Sequence, residues 1–311
     1  MLKKLYTLIT LILLALPFQA QAVNLPKDLN SVVIINSSNK DIFEKNIPAT
    51  EKVEVALGAG FFISKNLIIT ANHVVKGFKY VEVYTHDGRK SRATKVAVEE
   101  SADVAILKVD LDGVPLKIRS TPLGLGEDVW AIGHPKEHVY SVSKGIVSNP
   151  SVLSTNFTNA PLVQIDAAIN EGNSGGPLVD DNDEVIGIAD FIDTASGGSN
   201  GLGFAIRSDF LAKVAASAEK YGKVKRVVFG IAFDVKKDKI LVENIKQGGL
   251  GSFYFKKDDQ ILSIGGLELK NGFDVLNSTI LPNPDAPLIV KVKRGETILT
   301  FSIPANRIGT R

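Results

Sequence analysis

The sequence predicts a mainly β protein, a sandwich or a pair of barrels, followed by a smaller β-rich module. Three observations predict it. Residues 31–206 break into many short apolar segments, rich in Val, Ile, Phe or Ala and bounded by Gly, Asn, Asp or Pro. This is the pattern of strands and turns in all-β domains. One segment of helical spacing follows, residues 208–221, with Phe210, Leu211, Val214 and Ala215 on one face and Ser208 placed to cap it. After a basic linker, residues 222–226, the strand pattern resumes over about 75 residues, a length within the range of a domain.

Taken in order, strands are expected at 31–36, 53–63, 67–70, 79–85, 94–99, 104–110, 128–133, 140–148, 162–169, 184–191 and 201–206. The polar stretch between Asn36 and Val53 reads as a modest loop, and the Gly/Ser/Asn-rich stretch 194–200 as a mobile one. In the second module, strands are expected at 227–235, 239–244, 260–264, 267–269, 287–293 and 297–303. A turn-helix falls near 247–253, and a helix runs from Asn271 to about Ile280.

The first 22 residues read as a removable signal. Lys3 and Lys4 precede an apolar run from Leu5 to Leu16, Pro17 breaks it, and Ala20-Gln21-Ala22 is a small-residue cleavage site. The run is short for a membrane span, which takes about 20 residues. Export follows if it is cleaved after Ala22, and a membrane tether if it is not. Loss of Lys3 and Lys4 takes the formal charge from +2 to zero, which leaves no electrostatic case for nucleic acid. The chain has no cysteine, so disulfides, thiolate chemistry and Cys/His zinc sites are excluded. An exported chain without disulfides fits a bacterial envelope compartment.

Chemistry concentrates in the stretch Asn170-Glu171-Gly172-Asn173-Ser174-Gly175-Gly176-Pro177, at the end of an expected strand. Glycines permit a tight, exposed turn that can present the Ser174 hydroxyl and aim the amides of Gly172 and Ser174 at one point, which suits a nucleophile with an oxyanion hole. By itself the stretch reads equally well as a hairpin. His73 follows the expected strand 67–70, and Asp103 opens the expected strand 104–110. Alone, each is more often a packing or turn residue. The chain order His73, Asp103, Ser174 is that of the chymotrypsin-like triad: a base, a carboxylate that orients it, and a nucleophile.

With these residues the chain resembles the HtrA/Deg family of envelope serine proteases. The resemblance rests on Thr70-Ala71-Asn72-His73-Val74-Val75, on residues 102–108, 129–135 and 143–148, on 164–178 and on Gly201-Leu202-Gly203-Phe204-Ala205-Ile206. It implies a chymotrypsin/trypsin-like double β-barrel protease domain over 23–221. It also implies catalytic His73, Asp103 and Ser174 and an oxyanion hole formed around Gly172, Asn173 and Ser174. The specificity pocket would be lined by Ala168, Ile169, Gly203, Phe204 and Ala205. Ala168, six residues before the serine, supplies no carboxylate to attract Lys or Arg, so a preference for aliphatic side chains is expected; Asp166 weakens that expectation. Asn173 carries no charge to pair with a newly made N-terminus, which argues against activation by cleavage. His134 and Glu171 depart from the family pattern without replacing a group that the chemistry uses.

The second module, 227–304, resembles a PDZ domain. Phe229, Gly230 and Ile231 would form its carboxylate-binding loop, the strand after them would pair with a peptide C-terminus, and the helix from Asn271 would wall the groove. Residues 255–266 resemble a family turn, with Asp258 and Gly265 as substitutions. The reading is an exported serine endopeptidase that degrades misfolded envelope proteins, regulated by C-terminal peptides, without metal or cofactor. Family resemblance suggests a homotrimer. Two other readings stay open: a regulatory protease with one specific target, and a chaperone or peptide-binding module on a protease fold.

Overall fold

The computed structural model describes residues 29–41, 52–134, 140–155, 158–192, 201–236, 239–280 and 285–308. The expected signal segment and the 194–200 loop lie outside them, as does most of the loop after Asn36.

Strands β1 (Val32–Ser38), β2 (Val55–Phe62), β3 (Leu67–Ala71), β4 (Tyr80–Thr85), β5 (Lys90–Glu99) and β6 (Val104–Val109) close into a barrel in the order β1-β2-β3-β6-β5-β4. A second barrel follows. It is built from β7 (Asp128–Gly133), β8 (Ser141–Thr155), β9 (Thr158–Ile165), β10 (Pro177–Val179), β11 (Val185–Ile192) and β12 (Gly203–Arg207), in the order β10-β11-β12-β9-β8-β7. Closure removes the open sheet edges that would otherwise invite aggregation.

The strand period of two explains how the barrels pack. Phe61, Ile69 and Ile106 are in register on neighbouring strands, as are Phe62, Ile68 and Leu107. Successive side chains point to opposite faces. The second set fills the first barrel together with Ile35 and Val83. The first set joins Ile132, Leu162, Ile188 and Ile206 of the second barrel in one shared core. Each of these fully buried side chains contributes on the order of 1.5–3 kcal/mol relative to exposure.

Helix α2 (Ser208–Tyr221) occupies the expected span, and Phe210, Leu211 and Val214 are buried. Its cap differs from expectation. Arg207 is the N-cap and Ser208 the first helical residue, with no side-chain cap bond. Gly222 ends it at φ +66°, where a left-handed residue closes the last turn at least cost.

The third sheet has its own core. Strands β13 (Ile231–Lys236), β14 (Lys239–Ile245), β15 (Gln260–Ile264), β17 (Leu288–Arg294) and β18 (Thr297–Ile303) pair in that order, with β16 (Leu267–Glu268) beside β15. Alternation along β17 sends Leu288, Val290 and Val292 inward. Helix α3 (Gly272–Thr279) starts on a capping box: the Asn271 side chain accepts from Phe273 and Asp274 amides, and Asp274 accepts from the Asn271 amide. Residues 227–230 are not in the ladder, contrary to the expected strand 227–235. The Val227 amide donates to the Thr279 carbonyl, and Gly230 sits at φ +68°. That left-handed residue turns the chain into β13.

The basic linker is built into the structure. Val224 and Ile280 are buried in the shared barrel core beside Phe210. Arg226 is paired with Glu99 at 3.5 Å and donates to Ser101 Oγ at 3.2 Å. Lys213 Nζ donates to the Asn277 carbonyl, and Asn277 Nδ2 donates to Asp209, binding α3 to α2.

Candidate active site

His73 lies on α1 (Asn72–Val75), one turn of helix that follows β3 directly. Asp103 occupies the turn just before β6, at φ +54°. Aspartate tolerates the left-handed region better than most residues, and here it directs three contacts. The Asp103 carbonyl accepts from the Asn72 amide at 2.8 Å, Oδ1 accepts from the His73 amide at 2.8 Å, and Oδ2 lies 2.5 Å from His73 Nδ1. A carboxylate only accepts, so Nδ1 carries the proton and Nε2 is left as the basic nitrogen. The Asp103 side chain is 19% exposed and that of His73 48%, an orienting group inside and an imidazole open to substrate.

Ser174 comes from the second barrel, between β9 and β10. Its turn is held on all sides by backbone. Gly175 N–H donates to Ala189, Gly176 N–H to Asn173, and Ala189 N–H to Gly176. Across the barrel interface, Ala59 of β2 donates to the Ser174 carbonyl at 2.9 Å. Gly175, at φ +84°, leaves no room for a side chain: a Cβ there would stand 2.2 Å from Thr70 Oγ1 and 2.3 Å from the Ala59 carbonyl. Gly172 also has positive φ, +98°. The Asn173 and Gly176 amides find acceptors in the turn and the Gly175 amide finds one on β11; those of Gly172 and Ser174 donate to none among the described residues. An oxyanion requires donors that are free to turn to it, and these two amides have no other acceptor to give up. The Ser174 hydroxyl itself rests on the Asp190 carbonyl at 3.3 Å. It makes no hydrogen bond to His73 here, and the contact between a serine nucleophile and its base is often looser without substrate.

Ala168 is exposed, and its carbonyl accepts from Ser143 Oγ at 2.7 Å. Ile169 and Ala205 are buried in the second-barrel core, and Phe204 is 8% exposed in the core between the barrels. Gly203 sits on β12 opposite Ile165, its Cα hydrogens facing Ile165 and Ile169. Asp166 accepts from the Ile146 amide at 2.6 Å, so its carboxylate is engaged by backbone. His134 donates its amide to the Gly172 carbonyl at 3.2 Å and so borders the nucleophile turn. In the C-terminal unit, Gly251 and Lys246 amides donate to the Phe229 and Gly230 carbonyls, fixing the loop that precedes β13. β13 is an edge strand. A separate groove, lined by Leu262, Gly266, Leu269, Pro287 and Ile289, includes none of Phe229, Gly230 and Ile231.

The sequence reading missed Asp190. It lies on β11 and is buried, and its carboxyl is within 4.8 Å of the ligand atoms of both His73 and Asp103. Such a trio resembles a metal-ligand set, but Asp103 and His73 Nδ1 are spent on each other. Burial pushes the Asp190 carboxyl well above the usual carboxylate range, and the charge of Asp103 and a hydrogen bond to it push further the same way. The available signal was an acid inside the apolar run Val185-Ile186-Gly187-Ile188-Ala189-Asp190-Phe191-Ile192.

Two closed six-stranded barrels, with a His–Asp pair on one facing a glycine-framed serine on the other, define a trypsin-like peptidase fold. The family model described as "Trypsin-like peptidase domain" matches residues 58–188. A "Probable periplasmic serine endoprotease DegP-like" of Pseudomonas putida (strain W619) is 40% identical over 211 residues, 64% of this chain and 44% of that protein. A protein of the same description from Marinomonas sp. (strain MWYL1) is 34% identical over 265 residues, 84% of this chain and 51% of that one. The chain thus spans about half the length of the curated relatives it matches. Among solved structures, the HtrA-type protease AlgW with a decapeptide superposes with a TM-score of 0.74 at 26% identity, covering 93% of this chain and 98% of that one. The serine endoprotease from Yersinia pestis gives a TM-score of 0.61 at 26% identity, covering 89% and 94%. The chain carries a trypsin-like peptidase domain and is similar in sequence and fold to HtrA/Deg-type serine proteases.

Proposed function

We propose that this protein is an exported serine endopeptidase that cleaves misfolded envelope proteins. The observation that carries the reading is the His73–Asp103 pair set against Ser174, with the Gly172 and Ser174 amides open beside it. In the reaction, Ser174 Oγ turns from the Asp190 carbonyl, gives its proton to His73 Nε2 and attacks the peptide carbonyl. Asp103 holds the tautomer and stabilises the imidazolium, the two amides take the oxyanion, and His73 returns the proton to the leaving amine. The chain's own residues supply every proton transfer. The periplasm is the proposed compartment, supported by the description of the relatives. The test is digestion of a denatured protein by the mature chain, with products read by mass. Internal cuts are expected, most of them after Val, Ile or Ala, because exposed Ala168 brings no charge and Asp166 is bound to the Ile146 amide. A dominant set of cuts after Lys or Arg would show that an acid lines the pocket.

The C-terminal unit is proposed as a PDZ-like regulator. Residues 1–22 are read as the signal, 23–221 as the protease domain, 222–226 as the link and 227–304 as the regulator. The edge strand β13, entered through Phe229, Gly230 and Ile231, supports strand addition of a peptide. The neighbour AlgW was solved with a decapeptide, which supports peptide binding by proteins of this fold. A peptide with a free apolar C-terminus is expected to bind at least tenfold tighter than its amidated twin; equal affinities by calorimetry would remove this assignment. A homotrimer, suggested by the resemblance, is testable by sedimentation.

A further inference from the structure

We infer that Asp190 is a proton-bearing positioning residue: a neutral carboxylic acid that donates its proton to the Asp103 carboxylate and so holds the His73–Asp103 pair in place. This rests on the triad reading above and extends it to a residue outside the triad.

Three observations carry it. The Asp190 side chain is almost wholly enclosed, and its Oδ2 finds no hydrogen-bond donor among the described residues. The carboxylate nearest to it is that of Asp103, and the only other titratable group in the cluster is His73. No described lysine or arginine is paired with Asp190. Two ionised carboxylates cannot share a dry site at such range; one must hold a proton. Asp103 already accepts from the His73 amide and from Nδ1, so it is the ionised member and Asp190 the acid. The proton turns the unsatisfied Asp190 oxygen into a donor and gives Asp103 another hydrogen bond. Consistent with this, burial and the Asp103 charge both oppose ionisation of Asp190. The same residue's carbonyl receives the Ser174 hydroxyl, so β11 touches both the nucleophile and the orienting carboxylate.

Ionisation of Asp190 at high pH would place a second negative charge against Asp103 and remove its donor. The imidazole would then lose the geometry that Ser174 needs. Activity is therefore expected to fall on the alkaline side by about tenfold per pH unit beyond the Asp190 titration. Asp190→Asn keeps an N–H donor and cannot ionise; Asp190→Ser keeps a hydroxyl donor. Both are expected to retain the acid-side profile and to lose the alkaline fall, whereas Asp190→Ala lowers kcat at all pH values. Stability gives a readout independent of turnover. An acid whose folded-state pKa is raised stabilises the fold only where the unfolded chain also holds the proton, and that stability is lost as pH rises from about 4 toward the folded value. The melting temperature of Asp190→Asn relative to the parent should therefore rise as pH increases above about 4, until Asp190 itself ionises in the folded parent. The catalytically dead Ser174→Ala protein supplies a third measurement. Its infrared spectrum at neutral pH should contain a protonated-carboxyl stretch that disappears in the Ser174→Ala, Asp190→Asn double variant. The inference is overturned if the alkaline fall persists in both donor variants, if the melting-temperature gap is independent of pH, or if no such band is lost. Full activity in Ser174→Ala would instead sink the triad reading, and the infrared band would still report on Asp190.

Discussion

Ser174→Ala and His73→Ala each leave a folded protein whose kcat for peptide-bond hydrolysis is lower by about six orders of magnitude, the loss that follows removal of a triad serine or histidine in other serine proteases. Asp103→Asn loses about four, because the amide reverses the hydrogen bond that fixes the imidazole tautomer. The Asp103 variant differs from the other two for a reason visible in the site. Without Ser174 there is no nucleophile, and without His73 no base. Without the Asp103 charge both remain, wrongly posed. Stability should hardly change in Ser174→Ala, since that side chain makes only a 3.3 Å bond to a carbonyl. The Asp103 side chain also accepts from the His73 amide of α1 through Oδ1, so Asp103→Ala, which loses that acceptor, should melt lower than Ser174→Ala. Turnover within tenfold of the parent in either Ser174→Ala or His73→Ala would sink the assignment of those roles.

The largest stability effect is expected at Gly175. Alanine there must adopt φ near +84°, costing about 1–2 kcal/mol. Its Cβ must also displace Thr70 Oγ1, the Ala59 carbonyl and the Ala71 amide, all within 2.8 Å. Overpacking against backbone adds about 1–3 kcal/mol, for a total of about 2–5 kcal/mol. Gly88 is a control, because its φ is +85° and a Cβ added there would meet nothing within 4 Å. Gly88→Ala should cost only the backbone part. Urea denaturation of both variants decides the point: equal losses would show that crowding at the nucleophile turn contributes nothing.

How far the sequence revealed this molecule depends on whether local pattern or distant packing set each element. The span of α2 was legible because Phe210, Leu211 and Val214 keep helical spacing and Gly222 stops the helix. The strands carrying Phe61, Ile69 and Ile106 were legible as apolar runs. Strand β10 was not, since three residues beginning with Pro177 carry no alternation. The extension of β8 to Thr155 was missed because Asn149 and Pro150 look like a turn, and the ladder there is irregular. The start of β13 was placed early because the positive φ of Gly230 is invisible in a run of apolar neighbours. In the site, His73, Asp103 and Ser174 were legible from their order and flanking residues. Asp190 was not, because its meaning comes from a neighbour 87 positions away in the chain, brought close only when the two barrels meet.

The bond from the Ala59 amide to the Ser174 carbonyl has one more consequence. Base and orienting acid reside in one folding unit and the nucleophile in the other, so the chemistry is assembled only when both barrels have closed on each other. A half-folded copy holds a base without a nucleophile, or the reverse, and is harmless to its neighbours. Parting of the barrels would separate the base from the nucleophile. If the chain works as proposed, on unfolded proteins in its own compartment, the division between barrels acts as a safety interlock.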